Sequence, residues 1–204
     1  AVDSLVQSLQ TWEHAASVAD SVPKLREIIR QANKTVFDTA SLNDQYHNMG
    51  TTVVMAMIRG DAGLIGHIGD SRAYRLRGGR LELLTEDHTL VNELTKSGQL
   101  TPQEAAHHPR RNVLTRALGT DREVDADVQI IDWRSGDVLL LCSDGLSGLV
   151  EPSEVQAALE HPGADLDQQA QQLIDLALVA GGDDNITVVL VADGGRAYAA
   201  GGES

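Results

Sequence analysis

Apolar residues recur first at helical spacing and then switch to the alternating and continuous patterns of strands. Val2, Leu5, Val6, Leu9 and Trp12 fall on one face of a helix over residues 1–12. A second helix is expected with Ser21 as its cap, Pro23 in its first turn and Leu25, Ile28, Ile29, Ala32 and Val36 as its buried stripe. A polar loop is expected over residues 38–48. The stretches TTVVMAMI (51–58) and GLIGHIG (63–69) are apolar and partly β-branched, with Gly60-Asp61 as the turn between them. SRAYRLR, Gly78-Gly79 and RLELLT (71–85) predict a further hairpin. Turns this short require antiparallel pairing.

Residues 88–112 interrupt the sheet with a small helical insertion. Leu90, Val91 and Leu94 form one stripe, stopped by Gly98. Thr101, Pro102 and Glu104 then have the spacing of a capping box. Strands resume in ADVQIIDW (126–133) and DVLLLCS (137–143). A helical region is expected from Pro152 to about Val179, with Leu173, Ile174, Leu176 and Ala177 turned inward, and NITVVLVA (185–192) is the last strand. Helices, hairpins, a helix and a strand in that order give an α+β domain with antiparallel sheets over residues 1–192, followed by a flexible tail at 193–204.

The 204 residues suffice for one core, and with aromatics at 3% that core must come from Leu, Val, Ile and Ala. The net charge of -14 disfavours nucleic acid and anionic membranes as partners. No apolar run reaches the roughly eighteen residues of a membrane span, and no signal peptide is visible, so membrane insertion is not expected and a cytoplasmic location is. The single cysteine, Cys142, lies in an apolar run and reads as a buried structural thiol.

The chemistry is in the carboxylates. Asp144 follows the apolar run VLLLC, Asp183 and Asp184 precede the last strand, and Asp87 follows RLELLT. If residues 138–142 and 186–191 are antiparallel neighbours, Asp144 meets one of Asp183 and Asp184 at a single rim. Carboxylates gathered there repel one another unless a cation sits among them, and Lys and Arg are scarce in these motifs. A hard divalent ion, Mg²⁺ or Mn²⁺, suits oxygen ligands better than zinc does. Aspartates that merely turn or cap the chain are the competing reading. Asp70, in GDSR, reads as structural. The seven histidines show no zinc-like spacing on one element, and His88 reads as orienting a loop. Ser143 lies outside any G-x-S-x-G elbow, and no Walker lysine is present.

In order along the chain, MGTT (49–52), HIGDSRAYRL (67–76), LTEDHT (84–89), RALG (116–119), LLLCSDGL (139–146) and GGDDNITVV (181–189) resemble bacterial members of the metal-dependent protein phosphatase family, also called protein phosphatase 2C. The resemblance implies a four-layer α-β-β-α sandwich of two antiparallel sheets flanked by helices. It implies hydrolysis of phosphoserine and phosphothreonine at a binuclear Mn²⁺/Mg²⁺ centre. Asp144 matches the ligand of the SDG motif, Asp184 the ligand of the DN motif, and Asp87 the aspartate that helps hold a third, weaker metal. Residues 89–112 match the flap beside the active site. The implied partners are phosphorylated Ser/Thr proteins, substrates of a cognate kinase.

The family's leading motifs, with their phosphate-binding Arg and the aspartate bridging both metals, have no counterpart here. The sequence is therefore expected to begin within the family's first helix, and the 204-residue chain alone to be nearly inactive. A non-catalytic phosphatase-like binding or regulatory module is the alternative that this departure leaves open.

Overall fold

The computed structural model of the chain describes residues 2–10, 17–42, 46 and 49–193. Trp12 and, apart from Asp193, the expected flexible tail lie outside the described residues. The described residues fall into two compact units, one within Ala1–Arg59, Gly63–Asp70 and Asp87–Ile131, the other within Gly60–Ala62, Ser71–Glu86 and Asp132–Ser204.

In the first unit, helix α1 (Val2–Gln10) packs on α2 (Val18–Leu42). Leu5 is buried, whereas Val6 is 45% exposed and lies off the expected stripe. Helix α2 starts earlier than Ser21. Ser17 accepts a hydrogen bond from the Asp20 amide at 3.2 Å and donates its hydroxyl to Asp20 Oδ2 at 2.7 Å. Ser21 is instead buried inside the helix and donates to the Ser17 carbonyl at 3.0 Å. Pro23 is thus inside the helix, past the first turn, and the expectation that it lies in that turn is corrected: it supplies no amide to the Ala19 carbonyl. The expected loop at 38–48 is also corrected at its start, because the helix runs on to Leu42. The stripe of Leu25, Ile28, Ile29, Ala32 and Val36 is buried as its spacing requires. Leu25, Ile28, Ile29 and Ala32 form one core with Leu64, Ile68, Leu118 and Ala126. Strands β1 (Val53–Arg59), β2 (Ala62–Ile68) and β5 (Asp127–Asp132) make a three-stranded sheet in the order β1-β2-β5.

The insertion belongs to this unit. Its neck is closed by two backbone hydrogen bonds, Leu90 N–H to Val113 O at 2.9 Å and Thr115 N–H to His88 O at 2.8 Å. Beyond the neck come α3 (Leu90–Lys96), capped by Thr89, and α4 (Pro102–Ala106), where Thr101 and Glu104 form the expected capping box. The α3 stripe of Leu90, Val91 and Leu94 is only half-buried.

The second unit is built on a four-stranded sheet, β4-β3-β6-β7, of β3 (Arg72–Arg77), β4 (Arg80–Leu83), β6 (Val138–Cys142) and β7 (Val188–Ala192). All its pairings are antiparallel. Gly78 and Gly79 both have positive φ, 54° and 74°, which lets two residues close the β3–β4 hairpin at the Arg77–Arg80 pair. On one face Tyr74 pairs with Leu140 and Leu76 with Val138. That face packs on α5 (Asp144–Ser147), α6 (Pro152–Leu159) and α7 (Leu166–Val179) through Leu146, Val155, Leu159, Leu173 and Ala177. The region expected as one helix from Pro152 is therefore two, divided where Asp165 caps α7 by accepting from the Gln168 amide at 2.8 Å. Ile174 and Leu176 are half-buried. Cys142 is a free thiol in the core.

Charge is also built into this unit. Asp137 is 1% exposed and accepts two hydrogen bonds from Arg77, Nε at 2.7 Å and Nη2 at 2.6 Å, and one from the Arg134 amide at 2.9 Å. Arg75, Arg77 and Arg134 converge on Asp132. Burial opposes ionisation of Asp137, but Arg77 and the Arg134 amide outweigh it and hold the carboxyl below its ordinary range.

Candidate functional site

Strand β6 delivers Asp144 and the segment ahead of β7 delivers Asp184. The two strands are antiparallel neighbours in register from Val138–Ala192 to Cys142–Val188. Past Cys142 the ladder continues: the Ser143 amide donates to Thr187 O at 3.2 Å, its hydroxyl donates to Asn185 O at 3.0 Å, and that same hydroxyl accepts from the Thr187 amide at 3.0 Å. Residues 143–145 consequently lie directly on 185–187. Gly145 is buried against the Asn185 carbonyl so closely that a Cβ there would overlap its oxygen and stand 3.0 Å from its carbon. The chain turns into α5 at Asp144, which is half-buried, while Asp184 is exposed. The Asn185 amide donates to Asp184 Oδ1 at 2.6 Å, leaving Oδ2 with its lone pairs for another partner. Among the described residues neither Asp144 nor Asp184 forms an ion pair with Lys, Arg or His. Two carboxylates on adjoining turns without a basic partner are an oxygen donor set that fits a hard divalent cation.

Asp183 is exposed and sits against Gly181. Asp87 is half-buried in the other unit; its carbonyl accepts from Asn92 Nδ2 at 2.8 Å, which ties it to the first turn of α3.

A further cluster was missed at the level of sequence. His67 of β2, His88 and Asp127 of β5 bring one ligand atom each within 4.8 Å of one another. The imidazoles stack with centroids 4.7 Å apart at 24°. Both nitrogens of the buried His88 are engaged: Nδ1 accepts from the Gly69 amide at 3.1 Å, and Nε2 meets Asp127 Oδ2 at 3.1 Å. An amide pointing at Nδ1 makes it the acceptor, so the proton sits on Nε2 and is donated to Asp127. A histidine that binds a metal keeps its proton on the other nitrogen and donates it outward. Here that nitrogen faces a donor, so His88 fits a hydrogen-bond relay better than a cation ligand. Burial pushes the His88 imidazole below its ordinary value and outweighs the pull of Asp127. Burial raises Asp127, yet hydrogen bonds from His88 and Arg116 leave its carboxyl lower than usual. Arg116 completes the relay, with Nη1 3.2 Å from Asp127 Oδ1. His88 does orient a loop, as its sequence position suggested: it ties residues 69, 88, 115 and 127 together. The only sequence signal was the Asp87-His88 step, since the partners come from distant elements.

Comparison with known proteins agrees with this architecture of two antiparallel sheets flanked by helices. The sequence pattern of the family described as protein phosphatase 2C matches residues 1–176, and the chain belongs to that family. The serine/threonine phosphatase stp of Listeria welshimeri is 40% identical over 167 residues, 82% of this chain and 66% of the relative. The chain thus spans about two thirds of that relative's length. The crystal structure of the serine/threonine phosphatase Stp1 from Staphylococcus aureus matches with a TM-score of 0.85 at 35% identity, covering 95% of this chain and 77% of that one. The catalytic domain of the serine/threonine phosphatase PstP, solved in complex with two manganese ions, matches with a TM-score of 0.80 at 34% identity over 94% and 80% of the two chains. No helix among the described residues is long and apolar enough to cross a membrane.

Proposed function

We propose that residues 1–192 are the catalytic domain of a cytoplasmic phosphoprotein phosphatase that hydrolyses phosphoserine and phosphothreonine with divalent cations, its substrates being the products of a Ser/Thr kinase. The observation that carries this reading is the continuation of the β6–β7 ladder past Cys142, which sets the Asp144 turn on the Asp184-Asn185 segment. Asp144 and Asp184 hold Mn²⁺ or Mg²⁺ through carboxylate oxygens, and Asp87 contributes to a third, weaker site. Two such ions supply the Lewis acidity that lets water attack phosphorus near neutral pH. The protein's own part is orientation. The Asn185 amide fixes Asp184 Oδ1, and the His88 relay fixes the base of the flap from which Asp87 departs. The manganese-bound PstP neighbour supports the choice of ion. Neither Cys142, buried in the core, nor Ser143, whose hydroxyl is engaged by backbone, is offered as a covalent nucleophile.

The test is release of inorganic phosphate from a phosphothreonine peptide by the full-length protein with Mn²⁺ varied. Activity should require Mn²⁺ or Mg²⁺ and be abolished in Asp144→Ala and in Asp184→Ala. Undiminished turnover in either variant overturns the assignment.

A further inference from the structure

Ser143 stands at the N-cap of α5 yet makes no side-chain cap to that helix. A serine in this position ordinarily accepts from an amide of its own first turn. Here the hydroxyl goes elsewhere, donating to Asn185 O at 3.0 Å and accepting from the Thr187 amide at 3.0 Å. Its donor and one acceptor site are thus both used on the segment that follows Asp184. We infer that Ser143 is a positioning residue: its hydroxyl clasps the Asp144 turn to the Asp184-Asn185 segment and fixes how the two carboxylates are presented to divalent cations. This rests on the reading of Asp144 and Asp184 as cation ligands.

The connection to each carboxylate is short. Asp144 follows Ser143 directly, so anchoring Ser143 anchors the backbone from which Asp144 departs. On the other side, Asn185 offers its carbonyl to Ser143 and its amide to Asp184 Oδ1, the latter at 2.6 Å. The hydroxyl holds the 185–186 peptide through the Asn185 carbonyl, and that peptide meets, at the Asn185 Cα, the 184–185 peptide whose amide holds Asp184, so the clasp restrains the segment that orients Asp184. Gly145 lets the two backbones come close enough for the clasp, since a side chain there would strike the Asn185 carbonyl. The strands themselves do not need the hydroxyl. The Ser143 amide still reaches Thr187 O, and β6 and β7 pair over five residue pairs. Removing the hydroxyl should accordingly disturb the ligands more than the fold. Outer partners that orient metal ligands typically govern affinity by about ten- to a hundredfold.

The experiment titrates Mn²⁺ into the full-length protein and its Ser143→Ala, Ser143→Thr and Asp184→Ala variants, following free Mn²⁺ by its paramagnetic resonance signal, with thermal melts in parallel. Ser143→Ala should weaken Mn²⁺ binding by about tenfold or more at a temperature well below its melt, and Ser143→Thr, which restores a hydroxyl, should recover most of that loss. A role limited to stability would lower the melting temperature and leave the Mn²⁺ dissociation constant alone; that result overturns the inference. If Ser143→Ala does not fold, Ser143→Cys, of similar size and weaker hydrogen bonding, is judged by the same threshold. Asp184→Ala separates the two levels. Loss of Mn²⁺ in Asp184→Ala with unchanged binding in Ser143→Ala defeats the clasp and spares the ligand assignment. Unchanged binding in Asp184→Ala defeats both.

Discussion

Replacing Gly145 by Ala probes the contact on which the site is built. The added methyl would overlap the Asn185 carbonyl oxygen and lie 3.0 Å from Asn185 C and 3.4 Å from Ile186 Cα. All three obstacles are backbone, so no rotamer change relieves them. The 143–145 turn must move away from 185–187, by several tenths of an ångström at least, stretching the Ser143 hydrogen bonds that now measure 3.0 Å. Overpacking of this kind costs about 1–3 kcal/mol, and contact with fixed backbone belongs at the upper end. Alanine returns up to about 1 kcal/mol as the better helix former in α5. The net expectation is a loss of about 2 kcal/mol, or roughly 4–8 °C in Tm for a chain of this length. Differential scanning calorimetry measures that shift, and a Mn²⁺ titration of the same sample should show affinity reduced by about tenfold. A variant that melts within about 1 °C of the parent and binds Mn²⁺ as tightly would refute the packing of the two turns.

Three further outcomes are expected. Asp137→Asn removes the buried carboxylate while Arg77 keeps its pairing with Asp132, and it should cost about 1–3 kcal/mol at neutral pH, the range for weakening charge-assisted hydrogen bonds at a buried group, measured by urea denaturation. Because the folded-state pKa of Asp137 lies below its unfolded value, its contribution is present above about pH 4 and lost as the pH falls further. The variant should show a shallower loss of stability on acidification over that range, and an unchanged slope would contradict the pairing. Leu140→Ala, at a fully buried position in the sheet core, should cost about 2–5 kcal/mol in the same assay. Asp127→Asn keeps an acceptor for the His88 proton and should cost about 1 kcal/mol or less, with Mn²⁺ stoichiometry unchanged; loss of a bound ion would reveal the His67–His88–Asp127 cluster as a cation site.

Hydrophobic spacing carried most of the architecture because burial acts on each element locally. The stripe from Leu25 to Val36, the paired glycines at 78 and 79 and the Thr101–Glu104 box all lie where their spacing put them. Boundaries were less legible. Ser17 and Ser21 both offer a capping hydroxyl, and only packing decides that Ser17 does the work while Ser21 is buried. The break between α6 and α7 was legible in Pro162-Gly163, a helix-breaking pair just ahead of the Asp165 cap, but the expected helical region was carried across it. The juxtaposition of the Asp144 and Asp184 segments was readable because one apolar run is followed by Asp144 and the other is preceded by Asp184, so antiparallel pairing sets both at one rim. The His88 relay was not, since its members lie on β2, before α3, in the 116–119 segment and on β5, and only long-range pairing unites them. Ser143 was dismissed as a nucleophile from its motif, and its clasp becomes visible only once the β6–β7 register is known.

The most direct measurement is the anomalous difference map of a crystal of the protein grown with Mn²⁺. A peak is expected within bonding distance of carboxylate oxygens of both Asp144 and Asp184, with none at the His67–His88–Asp127 cluster. Manganese absent from the two aspartates, or bound at the histidines instead, would contradict the ligand assignment.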